Sequence, residues 1–202
     1  MTRAGFIINP TSMQPGAWVS PRGIPVDLMI PELLAGGHAR RSVRVPPHDK
    51  NSARRAAGLE ASVVDHSSMT VSSLDGDGRS TSINVAGPAA LLIAKMHKLG
   101  ERIHTPDRLN DKDAHDSYRL LVATPTSDMA MTLRLLLNAE IAGDSTRQEL
   151  AYLGELFADG PDALGSMMAG RAEAGVGDPG NVSMSVAFLA QDLLAATRDP
   201  RK

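Results

Sequence analysis

The chain has 202 residues and a formal net charge of −2, a size that suits one domain or at most two. It contains no cysteine, which excludes a disulfide framework, a thiolate metal site and a cysteine nucleophile. No apolar run is long enough for a membrane span or a signal peptide, so we expect a soluble, cytoplasmic protein with no membrane partner. Residues 1–119 carry 15 basic and 12 acidic residues and residues 120–202 carry 6 and 11, so positive charge is concentrated in the first part.

Short β-prone runs separated by Pro, Gly and Ser occupy residues 1–86 and predict a β-rich part. The run 24–30 is the clearest, because apolar residues alternate along it and predict a strand with one apolar face. Asp27 and Met29 would lie on the opposite face of this strand. A carboxylate is harmless there if it faces water and costly if it is buried without a partner or a metal, so both roles for Asp27 stay open.

Three further elements are predicted before residue 87. Residues 17–19 suit a strand, and the Ala- and Arg-rich residues 52–58 suit a short helix. The runs 69–74 and 80–85 flank two Asp-Gly pairs, which is typical of a β-hairpin. Asp75 and Asp77 have the spacing of metal-binding carboxylates, but a Gly-rich turn explains both without a metal.

Successive helices are predicted for residues 87–202, beginning at Pro88 in a first helical turn. Their predicted ranges are 88–102, 111–123, 127–142, 145–158, 161–174 and 182–198. Leu, Met and Ala recur at helical spacing in the later segments and indicate the core of a bundle. Ser145 and Gln148 have the spacing of a capping box. We therefore predict an α+β protein with a β-rich part over 1–86 and a helical part over 87–202.

The most informative charge pattern spans the first two predicted helices. Lys95, Lys98 and Arg102 are spaced i, i+3, i+7, which places three cations on one helix face. Asp113 and Asp116 lie near the start of the next helix, where the helix dipole favours acids. An antiparallel helix pair would bring the two faces together. The pattern fits an interhelical salt-bridge network or solvated faces, and equally a phosphate-binding row of cations held by carboxylates.

A basic cluster occupies residues 40–55. Its members are Arg40, Arg41, Arg44, Lys50, Arg54 and Arg55. It suits either a solvated surface or a site that meets phosphates.

Three of these segments together resemble a known family. They are Val26-Asp-Leu-Met-Ile-Pro31, the segment from Val85 to Arg102, and Asp111-Lys-Asp-Ala-His-Asp116. They are similar to the AbiEii-type nucleotidyltransferases, which include the MenT-type toxins of toxin–antitoxin systems. The resemblance implies a partial DNA polymerase β-like nucleotidyltransferase sheet followed by a C-terminal helical bundle.

The same resemblance implies an activity. Members of the family transfer a nucleoside monophosphate from an NTP, in several toxins to the 3′ end of tRNA, and a cognate antitoxin opposes them. By resemblance, Asp27 would hold Mg²⁺, which makes it a metal ligand and a catalytic residue. Lys95 and Lys98, supported by Arg102, would bind the triphosphate, with Lys98 catalytic. Asp113 would be a catalytic residue that orients the lysines or the attacking hydroxyl.

The basic cluster has a role by resemblance as well: Arg40, Arg41 and Arg44 would hold the tRNA backbone. One family motif, a Gly-Ser turn followed by Asp-x-Asp on a strand, is absent, and residues 1–26 contain no Asp or Glu. We therefore expect a chain that begins after this motif and has reduced activity. A non-catalytic protein that keeps the scaffold to bind a partner, an NTP or RNA is the alternative. A transferase acting on aminoglycoside-like substrates is the third, and its cationic substrate would require an acidic cleft.

Overall fold

The computed structural model of the protein describes residues 1–36, 42–48 and 51–198. Helices account for about 51% of the chain and strands for about 16%, with small sheets and a C-terminal helical region, so the predicted α+β class is confirmed. Contacts divide the chain into two compact units, called unit 1 (Met1–Leu59) and unit 2 (Glu60–Lys202) below.

Unit 1 is built from short strands arranged, within its described residues, in two three-stranded sheets. The strands are β1 (Ile7–Ile8), β2 (Ala17–Val19), β3 (Pro25–Asp27), β4 (Met29–Pro31), β5 (Ser42–Val43) and β6 (Ala53–Ala56). β1, β2 and β3 pair antiparallel in chain order. In the second sheet β6 is central, parallel to β4 and antiparallel to β5. The strand predicted at 17–19 is confirmed as β2.

The alternation predicted for residues 24–30 is confirmed, because Val26 and Ile30 are half-buried while Asp27 and Met29 are exposed. The run is not one strand, however. It divides at Leu28, and β3 joins the first sheet while β4 joins the second. Alternation alone could not reveal the division, since it has the same period in both sheets.

Leu28 connects the two sheets through its own backbone. Its N–H donates to the Gly16 carbonyl at 2.8 Å, and its carbonyl accepts from the Arg54 N–H at 2.9 Å. Gly16 has a φ of +80°, and a Cβ at this position would lie 2.3 Å from the Leu28 oxygen. A residue without a side chain is therefore required at position 16.

The helix predicted for residues 52–58 is wrong, because this segment contains the central strand β6. Ala and Arg favour helix intrinsically, but pairing with strands on both sides satisfies the backbone and overrides that preference. Trp18 fixes the start of the strand, since its indole Nε1 donates to the Ser52 carbonyl at 2.8 Å.

Unit 2 contains a β-hairpin and a bundle of helices. The hairpin strands are β7 (His66–Ser72) and β8 (Ser80–Ala86), and the helices are α1 (Pro88–Gly100), α2 (Asp111–Ala123), α3 (Thr126–Asn138), α4 (Gly143–Leu153), α5 (Leu164–Ala172) and α6 (Pro179–Arg198). Gly76 and Gly78 adopt positive φ at the tip of the hairpin, as the Asp-Gly pairs predict. The predicted hairpin is confirmed, with β7 beginning three residues and ending two residues earlier than predicted and β8 ending one residue later.

The division between units falls between Leu59 and Glu60, whereas the sequence predicted a boundary at 86/87. The hairpin belongs with the helices because the segment before it holds the start of α1. Asp65 accepts a hydrogen bond at Oδ2 from the Ala90 N–H at 2.8 Å, and its carbonyl accepts from the Gly87 N–H at 2.9 Å.

The predicted helices after residue 87 all occur, with shifted ends. α4 begins at Gly143 and continues into a π-helical segment over Gly154–Ala158. The predicted capping box is wrong: Ser145 lies inside α4 and its hydroxyl donates back to the Ala142 carbonyl. Capping by Ser requires a position before the first helical residue, and α4 starts too early for that.

A single apolar cluster, made mostly of Leu, Met and Ala as predicted, fills the space between the helices. Its largest fully buried members are Phe157, Leu92, Ile93, Met96, Leu99, Met129, Leu133, Leu136, Leu153, Met168 and Leu193. Within the described ranges, no single helix has both the length and the apolar composition to cross a membrane. α2 and α3 reach those values only when counted together across a bend of 111°.

Candidate functional site

Two lysines of α1 meet two aspartates of α2 where these helices pack together. Lys95 Nζ lies 3.2 Å from Asp113 Oδ1 and 2.8 Å from Asp116 Oδ2. Lys98 Nζ lies 2.8 Å from Asp113 Oδ1 and 2.7 Å from Asp113 Oδ2. Asp113 therefore holds both ammonium groups at once. We call these four side chains the Lys–Asp cluster.

Local sequence explains why both helices start where they do. Pro88 occupies the first turn of α1, which is capped from outside by Asp65. Asn110 caps α2, with its side-chain oxygen accepting from the Lys112 N–H at 3.0 Å. Asp113 consequently lies in the first turn of α2, where the helix dipole also stabilises its charge.

Burial and ion pairing act in opposite directions on Asp113. Burial alone would raise its pKa, but hydrogen bonds from Lys98 and Lys95 outweigh that effect and hold the pKa below the usual 3.8. Burial likewise would lower the pKa of Lys95, while its bonds to Asp116 and Asp113 raise the pKa above 10.5. The cluster is therefore charged throughout the neutral pH range.

Asp116 forms a second ion pair, with a lysine of its own helix. Lys112 Nζ lies 2.8 Å from Asp116 Oδ2, and the hydrogen bonds from Lys112 and Lys95 lower the pKa of Asp116 to about 2. Three lysines thus face two aspartates, which leaves one positive charge in excess.

Asp113 and the two lysines that it contacts differ in their exposure to solvent. The Asp113 side chain is 6% exposed, that of Lys95 is 26% exposed and that of Lys98 is 43% exposed. Asp113 is more buried than the lysines, so it is placed to position them and not to contact a ligand itself. Lys98 is the group that an incoming anion would reach most easily.

Arg102 does not continue the row, although its spacing predicted three cations on one face. α1 ends at Gly100, so helical spacing no longer applies at residue 102. Its Nη1 donates to the Arg108 carbonyl at 3.1 Å, in the loop that leads to α2.

The predicted site residues outside α1 and α2 belong to unit 1. Asp27 is exposed on β3, paired in register with Ala17. Arg44 donates from Nε to the His48 carbonyl at 3.3 Å. Arg40 and Arg41 lie outside the described residues.

Potential metal ligands are dispersed. Among residues 1–36, 42–48 and 51–198, no group of three or more His, Asp and Glu side chains is placed to hold a metal ion. Asp75 and Asp77 lie in the hairpin turn, where Asp77 accepts from the Arg79 backbone N–H at 3.0 Å. This local bonding fits the turn interpretation of that Asp-Gly sequence.

A buried histidine–glutamate pair, to which the sequence assigned no role, lies between α1 and α4. His97 Nδ1 is 2.7 Å from Glu149 Oε1, and the Glu149 side chain is 1% exposed. The bond to Glu149 raises the pKa of His97, and burial raises the pKa of Glu149. The one sequence signal was a Glu among the apolar positions of α4, which does not identify a partner 52 residues away.

Comparison with protein-family models, with curated proteins and with solved structures finds no match to this chain. The resemblance to the AbiEii-type nucleotidyltransferases therefore stays a prediction from the residues that carry it.

Proposed function

We propose that the chain is a nucleotidyltransferase of the AbiEii type that binds an NTP at the Lys–Asp cluster. It transfers the nucleoside monophosphate to the 3′ end of tRNA, as the cytoplasmic toxin of a toxin–antitoxin system whose antitoxin is the protein partner. The single observation that carries the proposal is the geometry of Asp113, a buried carboxylate that holds Lys95 and Lys98 on one face of α1.

This geometry suits phosphoryl-type transfer for a physical reason. Such transfer depends mainly on positioning and on neutralising charge at the phosphates. A lysine fixed by a buried partner loses less conformational entropy when it binds an anion than a free surface lysine does. Lys98 keeps solvent access while Asp113 restrains it, and the positive charge that remains when Lys112 is counted with the cluster attracts a triphosphate.

The proposal assigns the remaining predicted roles to unit 1. Asp27 is the predicted metal ligand, and the basic cluster of residues 40–55, including Arg40, Arg41 and Arg44, is the predicted tRNA contact. The described residues do not fit a metal site built by the protein alone, since no three suitable ligands are grouped there. Mg²⁺ therefore enters the proposal only as the ion that accompanies an NTP.

One second candidate depends on the same geometry of Asp113 and the two lysines. A protein that binds an NTP or RNA through the Lys–Asp cluster, without catalysis, requires the lysines and Asp113 but no metal ligands.

Two parallel measurements on the full chain distinguish these functions. Incorporation of α-labelled NTPs into total tRNA with Mg²⁺ reports transfer, and equilibrium dialysis of the same NTPs reports binding. We expect Lys98→Ala to reduce incorporation at least about 100-fold, the size of effect typical for a lost electrostatic contact to a transition state. Asp27→Ala and Asp113→Asn should reduce it as well.

The matched control is Arg119→Ala, which removes an exposed cation from α2. It should leave incorporation within about twofold of the unmodified chain. NTP binding that depends on Lys98 without any incorporation would establish the non-catalytic candidate. A folded chain that neither binds NTPs nor labels tRNA would contradict both.

A further inference from the structure

A small cavity of about 270 Å³ opens in unit 1, and none of its lining residues has a role in the proposed nucleotide transfer. Its lining is apolar and aromatic, with two polar side chains. The lining residues are Thr2, Phe6, Ile7, Ile8, Trp18 and His48.

The wall formed by Trp18 is rigid. Its side chain is 4% exposed, it lies in β2 opposite Ile8, and its indole nitrogen is held by the Ser52 carbonyl. The His48 ring meets it edge-on, with centroids 5.3 Å apart and an interplanar angle of 69°. Because Trp18 is almost wholly buried, it supports the wall, and the half-buried Phe6 is the aromatic side chain that can offer a ring face to a flat ligand.

His48 also supplies an oriented polar edge. Its Nδ1 shares a hydrogen bond of 3.1 Å with the Thr2 hydroxyl, which fixes the ring orientation. Among the contacts of the described residues, Nε2 takes part in no hydrogen bond and is available to a ligand. The cavity therefore combines flat apolar walls with one hydrogen-bonding edge.

The unit that contains the cavity carries a net positive charge. Residues 1–59 contain eight Lys and Arg against three Asp and Glu, a net charge of +5, whereas residues 60–202 contain 13 against 20, a net charge of −7. Arg44 lies at the rim, since its guanidinium donates to the carbonyl of the lining residue His48. Arg3 follows the lining residue Thr2 in the chain.

We infer that this cavity receives one unpaired base of a single-stranded nucleic acid. The two aromatic residues of unit 1, Phe6 and Trp18, both line it, and unit 1 is the part of the chain with a net positive charge. Aromatic faces that stack bases, set within positive charge that follows the phosphates, are how proteins hold single strands. This binding involves unit 1 alone and requires neither an NTP nor a transfer reaction.

Trp18 is the single tryptophan of the chain, so its fluorescence reports directly on the cavity. The full chain is titrated at low salt with unstructured oligo(rA) and oligo(dA), with an RNA duplex of equal length as comparison. We expect saturable quenching by the single strands and binding at least about tenfold weaker for the duplex. Fluorescence anisotropy of end-labelled oligonucleotides gives the Kd independently.

Two variants locate the binding. Phe6→Leu keeps an apolar side chain for packing but removes the aromatic face, and should weaken single-strand binding about tenfold. Phe188→Leu is its matched control, because Phe188 is an exposed phenylalanine of unit 2, and it should leave the Kd unchanged. Arg44→Ala should reduce the slope of log K against log salt by about 0.7, the value for one lost phosphate contact.

Two outcomes overturn the inference, and a third concerns the proposed transferase alone. Single strands that bind equally well to Phe6→Leu would place the base elsewhere. Quenching by the apolar dye anilinonaphthalene sulfonate, without any response to oligonucleotides, would make the cavity a site for small apolar ligands. Failure of tRNA labelling alongside single-strand binding would remove the proposed transferase and leave this inference standing.

Discussion

Units 1 and 2 reach a folded state by different means. Among the described residues of unit 1, Ala17, Trp18 and Ala53 are the buried apolar side chains, and the rest of its order comes from strand pairing. Unit 2 encloses a continuous core between its helices. Because the stability of a folded unit depends on the apolar area that it buries, we expect the loss of a buried side chain in one unit to destabilise that unit and not the other.

The largest expected effect comes from removing the chief buried side chain of each unit. Trp18→Ala and Phe157→Ala should each cost about 3–5 kcal/mol. In unit 1, the loss of the Trp18 side chain leaves only Ala17 and Ala53 as buried apolar side chains among the described residues, and these are too small to compensate. Hydrogen exchange should therefore become fast throughout residues 1–59. Phe157→Ala should instead lower the urea midpoint of the helical circular-dichroism signal and leave exchange in residues 1–59 unchanged.

Trp18→Leu serves as the control for volume, because it retains an apolar side chain but loses the bond to Ser52. Protection in residues 1–59 that survives Trp18→Ala would contradict the view that this side chain holds unit 1 together.

The Lys–Asp cluster gives the next effect, confined to unit 2. Asp113→Ala leaves Lys95 with Asp116 and lets the more exposed Lys98 turn to water. We therefore expect a loss of about 1–3 kcal/mol, less than for a fully buried ion pair. Urea unfolding followed by circular dichroism at neutral pH measures it.

Acid provides an independent check on the same cluster. Asp113 and Asp116 have pKa values lowered by folding, so the stability they contribute is present above pH 3.8 and is lost as pH falls through the folded values, about 2 for Asp116. Asp113→Ala should flatten this acid dependence. An unchanged profile would show that the pairs contribute little to stability.

A smaller effect is expected at the start of α1. Asp65→Ala removes the carboxylate that accepts from the Ala90 N–H, and loss of a capping acceptor costs about 1 kcal/mol. Asp65→Asn retains an acceptor oxygen and should recover most of that loss. Equal destabilisation by both variants, measured in urea, would mean that the charge at the helix start matters more than the hydrogen bond.

The smallest effect concerns pH and the pair between α1 and α4. Folding raises the pKa of His97, so its contribution is fully present below pH 6.5 and is lost as pH rises through the folded value. The raised pKa of Glu149 acts with the same sign, and Glu101 and Glu60 also favour the protonated histidine. The urea midpoint of unit 2 should therefore fall as pH rises above 6.5, and His97→Gln should remove that trend.

Predictions from sequence succeeded where the determining interactions are close along the chain. Helical spacing and Pro88 located α1, and the Asp-Gly pairs located the hairpin. The meeting of Lys95 and Lys98 with Asp113 also followed from spacing, since adjacent helices tend to pack together. The interhelical salt bridges expected as one interpretation are present, while phosphate binding stays a prediction.

The failures share a different cause, which is dependence on distant residues. Strand β6 formed against its helical propensity because β4 and β5 pair with it from elsewhere in the chain. Arg102 left the predicted row because α1 ends two residues earlier. His97 and Glu149 came together only through the packing of α1 on α4, which no local pattern encodes.

The backbone of Leu28 limits which insertions unit 1 can accept. Because its N–H and its carbonyl serve different sheets, the registers of the two sheets are coupled through one residue. If one residue were inserted between β3 and β4, the two hydrogen bonds could no longer be made by the same residue. Either Asp27 would shift in register against Ala17 in the first sheet, or Met29 would shift against Arg54 in the second. Variation in length in this unit should therefore be confined to the turns between β1 and β2 and between β2 and β3, well away from position 28.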